Sequence, residues 1–95
     1  MIEIVLKGRT GAFAENKDVA REIRLQQLEP ALNNNEEVVL DFGGVDAATQ
    51  SFIHALISEL IRTHGNDVLD KIAFKSCNEH VQKVINIVVE YMQVA

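Results

Sequence analysis

A chain of 95 residues is long enough for one hydrophobic core and too short for two, so a single domain over residues 1–95 is expected. Its net charge of −5, with no cluster of Lys and Arg, excludes a direct nucleic-acid partner, whose phosphates demand a cationic face. No apolar run approaches the ~20 residues of a membrane span. The lone Cys77 permits no internal disulfide, and the opening MIEIVLKGRT is too short and too charged for a signal peptide, so the expected location is the cytoplasm.

Ile2 to Leu6 is rich in β-branched residues and predicts a first strand. Gly8, Thr10 and Gly11 mark a turn, after which Ala12 to Ala14 is expected to pair back as a hairpin. Asn16 is the expected N-cap of a first helix, with Asp18 in its first turn. Val19, Ala20, Ile23 and Leu28 form its apolar stripe, and Leu25 lies off it. Pro30 removes a helical hydrogen bond and disfavours helical angles at Glu29. A kink or stop near Leu28 follows, with one further turn to Leu32 before the loop Asn33-Asn34-Asn35.

Val38 to Phe42 is the second principal strand, apolar on both faces as for a central strand covered on both sides. Gly43-Gly44 ends it, and Val45 packs back under the loop. Thr49 or Ser51 caps the next helix, whose Ile53, Leu56, Ile57 and Leu60 follow helical spacing. Gly65-Asn66 stops it. Ile72 to Phe74 is a short third strand, and Asn78 or Ser76 caps the last helix. Val81, Val84, Ile85, Val88, Val89 and Met92 form the cleanest periodic stripe in the chain, with Ile87, Tyr91 and Val94 as additional apolar surface beside it. That width suits either a well-buried helix or a dimer or partner surface. Strand and helix alternate three times, which with right-handed crossovers predicts an α/β fold with a mainly parallel sheet and three principal helices.

The run Val39-Leu40-Asp41-Phe42-Gly43-Gly44-Val45, five further residues, then Ser51-Phe52, resembles the STAS-like domain family of unknown function, found in small bacterial and phage-borne proteins. That family is similar to the STAS domains of sulfate transporters and anti-sigma-factor antagonists. Gly11 with Phe13, and Asn78 ahead of the last helix, extend the likeness over most of the chain. The resemblance implies a sheet of four to five strands packed by helices, and function by protein–protein contact. In the antagonists a serine at the start of the second helix, within an Asp-Ser-Ser/Thr-Gly motif, is phosphorylated by a partner kinase. That motif falls on Thr49-Gln50-Ser51-Phe52, with Gln50 where the acceptor serine stands. Glutamine accepts no phosphoryl group. Relatives often begin the first helix with Ser-Arg, where this chain has Asn16-Lys17.

The remaining polar residues are weak candidates for chemistry. Asp41 either accepts hydrogen bonds from turn amides or contacts a partner or cation; the first is the commoner role of a strand-end Asp. Gly43-Gly44 reads as a tight turn, with no P-loop lysine or dinucleotide fingerprint beside it. Ser51 and His54 are neighbours on one helix, but no orienting acid or nucleophile elbow accompanies them. His54, Ser58 and Arg62 read as a solvated flank. Cys77 and His80 lie three apart at a helix start, where a thiol pKa can fall, yet two side chains do not make a zinc site. No catalytic residue, metal or cofactor is expected.

The expected function is therefore a non-enzymatic interaction module. Its partner surface lies at residues 43–54, from Asp41, Gly43, Gly44, Thr49, Gln50, Ser51 and His54. The expected partner is a histidine-kinase-like ATPase, an anti-sigma-type regulator or a second copy of the chain. The alternatives are a phospho-regulated switch at Ser51 or Thr49, and a small-ligand or nucleotide-binding domain.

Overall fold

Alternation along the first strand sets the architecture. In β1 (Ile2–Val5) Ile4 is buried while Glu3 and Val5 face outward. A computed structural model describes residues 1–94, with the side chain of Val94 outside the described part. β1 pairs in parallel with β3 (Val38–Asp41), which pairs in parallel with β5 (Ile72–Lys75); Ile4 lies beside Leu40 and Leu40 beside Phe74. A separate two-stranded parallel sheet joins β2 (Phe13–Ala14) to β4 (Ala47–Ala48). The fold is α/β and every strand pair is parallel, but among the described residues the five strands are divided three and two rather than joined in one sheet.

The order β1-β3-β5 advances in one direction. Successive right-handed crossovers in one direction leave every connecting helix on the same face. Burial agrees: Ile4, Val38, Leu40 and Ile72 are buried, whereas Glu3, Val5, Ala73 and Lys75 on the other face are exposed. The expectation that β3 is covered on both sides is therefore corrected, and Val39 is only half-buried. An ion pair from Lys75 Nζ to Glu3 Oε2, 3.2 Å, crosses β3 on this open face.

The expected hairpin after β1 does not form. Leu6 instead leads into a helical turn, α1 (Lys7–Thr10), closed by Gly11 at φ 69°. The amides of Arg9 and Thr10 both donate to the Leu6 carbonyl, so the chain coils forward and never reverses beside β1. Phe13–Ala14 then finds its partner 34 residues later.

Asn16 caps α2 (Lys17–Ile23), its side-chain oxygen accepting from the amides of Asp18 at 2.9 Å and Val19 at 3.4 Å. The helix continues through a π-helical segment, Arg24–Leu28, into α3 (Glu29–Asn33). Glu29 keeps helical angles (φ −62°, ψ −45°), contrary to the expected effect of Pro30, and its amide bonds five residues back to Arg24. Pro30 lacks an N–H, and its ring crowds the carbonyl four residues back. The wider π turn relieves that crowding, and buried Leu28, Ala31 and Leu32 hold the continuation against the core.

α4 (Gln50–His64) packs against both α2 and α5 (Glu79–Val94). Gly65, at φ 84°, ends α4 as expected, and a 3₁₀ segment follows at Asn66–Lys71 with Val68 buried. Asn78 caps α5, its side-chain oxygen accepting from the Val81 amide at 2.8 Å. Val81, Val84, Ile85 and Val88 are buried, Val89 and Met92 half-buried, and Ile87 and Tyr91 exposed. All the core side chains form one cluster, with Phe42, Phe52, Ile53, Leu56, Ile57 and Leu60 at its centre.

Candidate functional site

The loop after β3 is built around its own backbone. Asp41 Oδ1 accepts from the Gly43 amide at 2.8 Å, the turn role expected of it. The Val45 amide donates to the Phe42 carbonyl, and Val45 is buried beneath the loop. Gly44 has φ +81°, and a Cβ there would lie 2.5 Å from Lys7 Cδ. The left-handed backbone calls for glycine, and the flexible stem of exposed Lys7 lies over it.

The next stretch is fixed from α5. Asn78 Nδ2 donates to the Asp46 carbonyl at 2.8 Å, and the His80 ring meets the Ala48 carbonyl at 3.2 Å through Nε2. A carbonyl only accepts, so this nitrogen carries the proton. The Asp46 amide donates to Ala12 and the Thr49 amide to Ala14, tying the same stretch to β2. Thr49 is delivered in extended conformation (φ −85°, ψ 157°) and caps α4, its hydroxyl accepting from the Phe52 amide at 3.1 Å. Ser51 is not the cap.

Beyond the cap, Gln50, Ser51 and His54 are exposed and line an open groove of ≈ 540 Å³ together with Ala55. Ile87, Val88 and Tyr91 of α5 form one side, and Lys17 at the start of α2 forms the other. The residues expected to act together are thus divided. Gln50, Ser51 and His54 line the groove and Thr49 sets its helix, while Asp41, Gly43 and Gly44 are not among its lining residues.

Beneath the groove the polar contacts are internal. Ser58 is buried, not part of a solvated flank. Its hydroxyl donates to the His54 carbonyl and lies 3.2 Å from His54 Nδ1. With its one proton spent on that carbonyl, the hydroxyl oxygen accepts from His54 Nδ1–H. Arg24 Nη1 donates to the Ala55 carbonyl at 3.0 Å, joining the π segment to α4, while its buried Nε has no partner. Arg62 pairs with Glu59.

Cys77 and His80 do not pair: the thiol faces the Lys75 carbonyl and the imidazole the Ala48 carbonyl. Burial, and then the Asp41 carboxylate, push the Cys77 thiol above its ordinary range, the reverse of activation. Among the described residues no three His, Cys, Asp or Glu side chains gather as a metal site. Among them, no helix is long and apolar enough to cross a membrane.

Lys17, Ala55, Ile87, Val88 and Tyr91 were not in the sequence-derived surface. Ile87 and Tyr91 carried a signal, as apolar residues beyond the core stripe, and Lys17 did as the first residue of α2. Only packing of three helices shows that they share a groove.

Comparison with curated proteins and with solved structures returned no match. A family model described as a STAS-like domain of unknown function (DUF4325) matches residues 19–82, from the first full turn of α2 into the first turn of α5. This covers most of the chain, including the Val39–Val45 and Ser51-Phe52 residues that carry the sequence resemblance, so the protein belongs to the family of STAS-like domains of unknown function.

Proposed function

We propose that the protein is a non-enzymatic interaction module whose partner surface is the exposed start of α4. The observation that carries this reading is the division of labour in Gly43–His54. The loop satisfies its own backbone and Thr49 caps the helix, so Gln50, Ser51 and His54 are left outward over an open groove. Their exposed side chains have no catalytic acid or activated thiol among the groove's lining residues. The relation of the family to anti-sigma-factor antagonists favours a histidine-kinase-like ATPase or an anti-sigma-type regulator as the partner.

Recovery of partner from the native host by wild type, Gln50→Arg and Ser51→Glu tests the surface. Loss with either substitution is expected. Unchanged recovery with both contradicts it.

A phospho-regulated form of the same module is the second reading, favoured by the exposure of Ser51. Thr49 is the poorer acceptor, because it is half-buried and its oxygen already holds the Phe52 amide. Intact-mass analysis of protein from its host distinguishes the two readings: a phosphoryl adduct mapping to Ser51 supports the switch, and unmodified protein under all growth conditions removes it.

A further inference from the structure

We propose that the groove over the start of α4 receives an acidic amphipathic segment of a protein partner, its carboxylate against Lys17 and its aliphatic or aromatic side chains against Ile87 and Tyr91. This rests on the reading of α4 as a partner surface and adds the chemistry of what binds there.

Charge is the first argument. The chain carries a net −5, yet among the described residues no carboxylate lines this groove. Its one formal charge is Lys17, and the imidazole of His54 is the only other titratable nitrogen side chain on the lining. Among the described residues Lys17 makes no ion pair, so no neighbouring carboxylate already neutralises it, though it shares this with Lys7, Arg21, Arg24, Lys71 and Lys83. A locally cationic groove on an acidic protein selects a carboxylate and disfavours wrong partners.

The apolar side is the second. Ile87 and Tyr91 stand one turn apart on α5 and remain 48% and 62% exposed. Val81, Val84, Ile85 and Val88 already bury α5 against the core, so these two side chains serve no internal packing that their exposure would reflect. Tyrosine is among the residues enriched at binding hot spots. A cation on α2 facing an apolar pair on α5 matches a segment that is acidic on one side and apolar on the other.

The same charges argue against the other occupants. An isologous dimer on this patch would bring two Lys17 side chains into one interface with no lining carboxylate to meet them. A phosphate backbone needs several cations, and the groove offers one lysine.

Selection of a random peptide library on the intact protein, followed by affinity measurement of the enriched peptides, tests the proposal. Enriched peptides are expected to carry Asp or Glu close to an aromatic or aliphatic residue. Their affinity is expected to fall about tenfold with Tyr91→Ser and with Lys17→Glu. Replacing the peptide's acid by lysine is expected to restore binding to Lys17→Glu. These positions are exposed, and circular dichroism checks that each variant is folded. Peptides without an acidic preference, binding indifferent to Lys17→Glu, or no enrichment at all would overturn the proposal. Gln50→Arg separates it from the broader reading: peptides displaced by that change but indifferent to Lys17→Glu keep the surface and remove the acidic occupant, whereas indifference to both removes both.

Discussion

His80, in the first turn of α5, donates from Nε2 to the backbone carbonyl of Ala48, 3.2 Å away and one residue before the cap of α4. Two elements 32 residues apart in sequence are thereby joined at the point where the candidate surface begins. His80→Ala leaves a carbonyl of a buried residue without this donor, a loss of about 1–3 kcal/mol. Urea unfolding measures the loss, and faster amide exchange at Thr49 relative to Leu60 shows that it is local.

The Thr49 hydroxyl holds the first turn of α4 through the Phe52 amide. Thr49→Ala is expected to cost about 1 kcal/mol and Thr49→Ser much less, since serine caps as well. Ser51→Ala leaves stability nearly unchanged, because Ser51 does not cap. Equal losses at positions 49 and 51 in thermal melts would show the cap misassigned.

Gly44 combines a left-handed backbone with Lys7 laid across the place of a side chain. Gly44→Ala is destabilising through its backbone, by roughly 1–2 kcal/mol, whereas the exposed Lys7 side chain swings aside at little cost. Adding Lys7→Ala removes the contact but not the backbone cost, so the double variant recovers little of the lost stability. Denaturation midpoints of the two single variants and the double variant measure this coupling.

Cys77 links folding to alkaline pH. Its thiol is held above its ordinary value of 9.0 by burial and by Asp41. The unfolded chain therefore loses this proton first. Stability due to Cys77 is intact below the unfolded pKa, falls as pH rises through it, and levels off above the folded pKa. Relative to Cys77→Ala, wild type is expected to lose stability as pH rises through the unfolded thiol's ordinary range of about 8.5–9 and beyond it. At neutral pH, iodoacetamide modifies the native thiol more slowly than the unfolded one. An unchanged difference between the two proteins across that range would contradict the assignment.

Features governed by local chemistry were legible in the sequence. Asn16 and Gly65 carry a cap and a stop that one or two side-chain or backbone preferences determine, and the other two caps were narrowed to Thr49 or Ser51 and Asn78 or Ser76, of which Thr49 and Asn78 act. The stripe from Val81 to Met92 follows from periodicity, and the three principal strands from short apolar, β-branched runs. What escaped depends on contacts distant in sequence. Phe13–Ala14 and Ala47–Ala48 are two-residue strands, too short for any periodic signal. The open face of the sheet follows from strand order: the run Val38-Val39-Leu40 looks the same whether one face is covered or two. Pro30 signalled a disruption, but the buried residues beyond it decided that the helix would widen rather than end. In the groove, Gln50, Ser51 and His54 were visible through their motif, whereas Lys17 and Tyr91 belong to it only because α2 and α5 flank α4.

The claim that the start of α4, and not the open sheet face, meets a protein partner is tested most directly by site-specific photo-crosslinking in the native host. One photoreactive residue replaces Gln50 in the groove; a second replaces Ala73, exposed on the uncovered side of β5. A discrete crosslinked protein from position 50, absent from position 73, is the predicted result. Crosslinking from position 73 alone, or from neither position, would contradict the account.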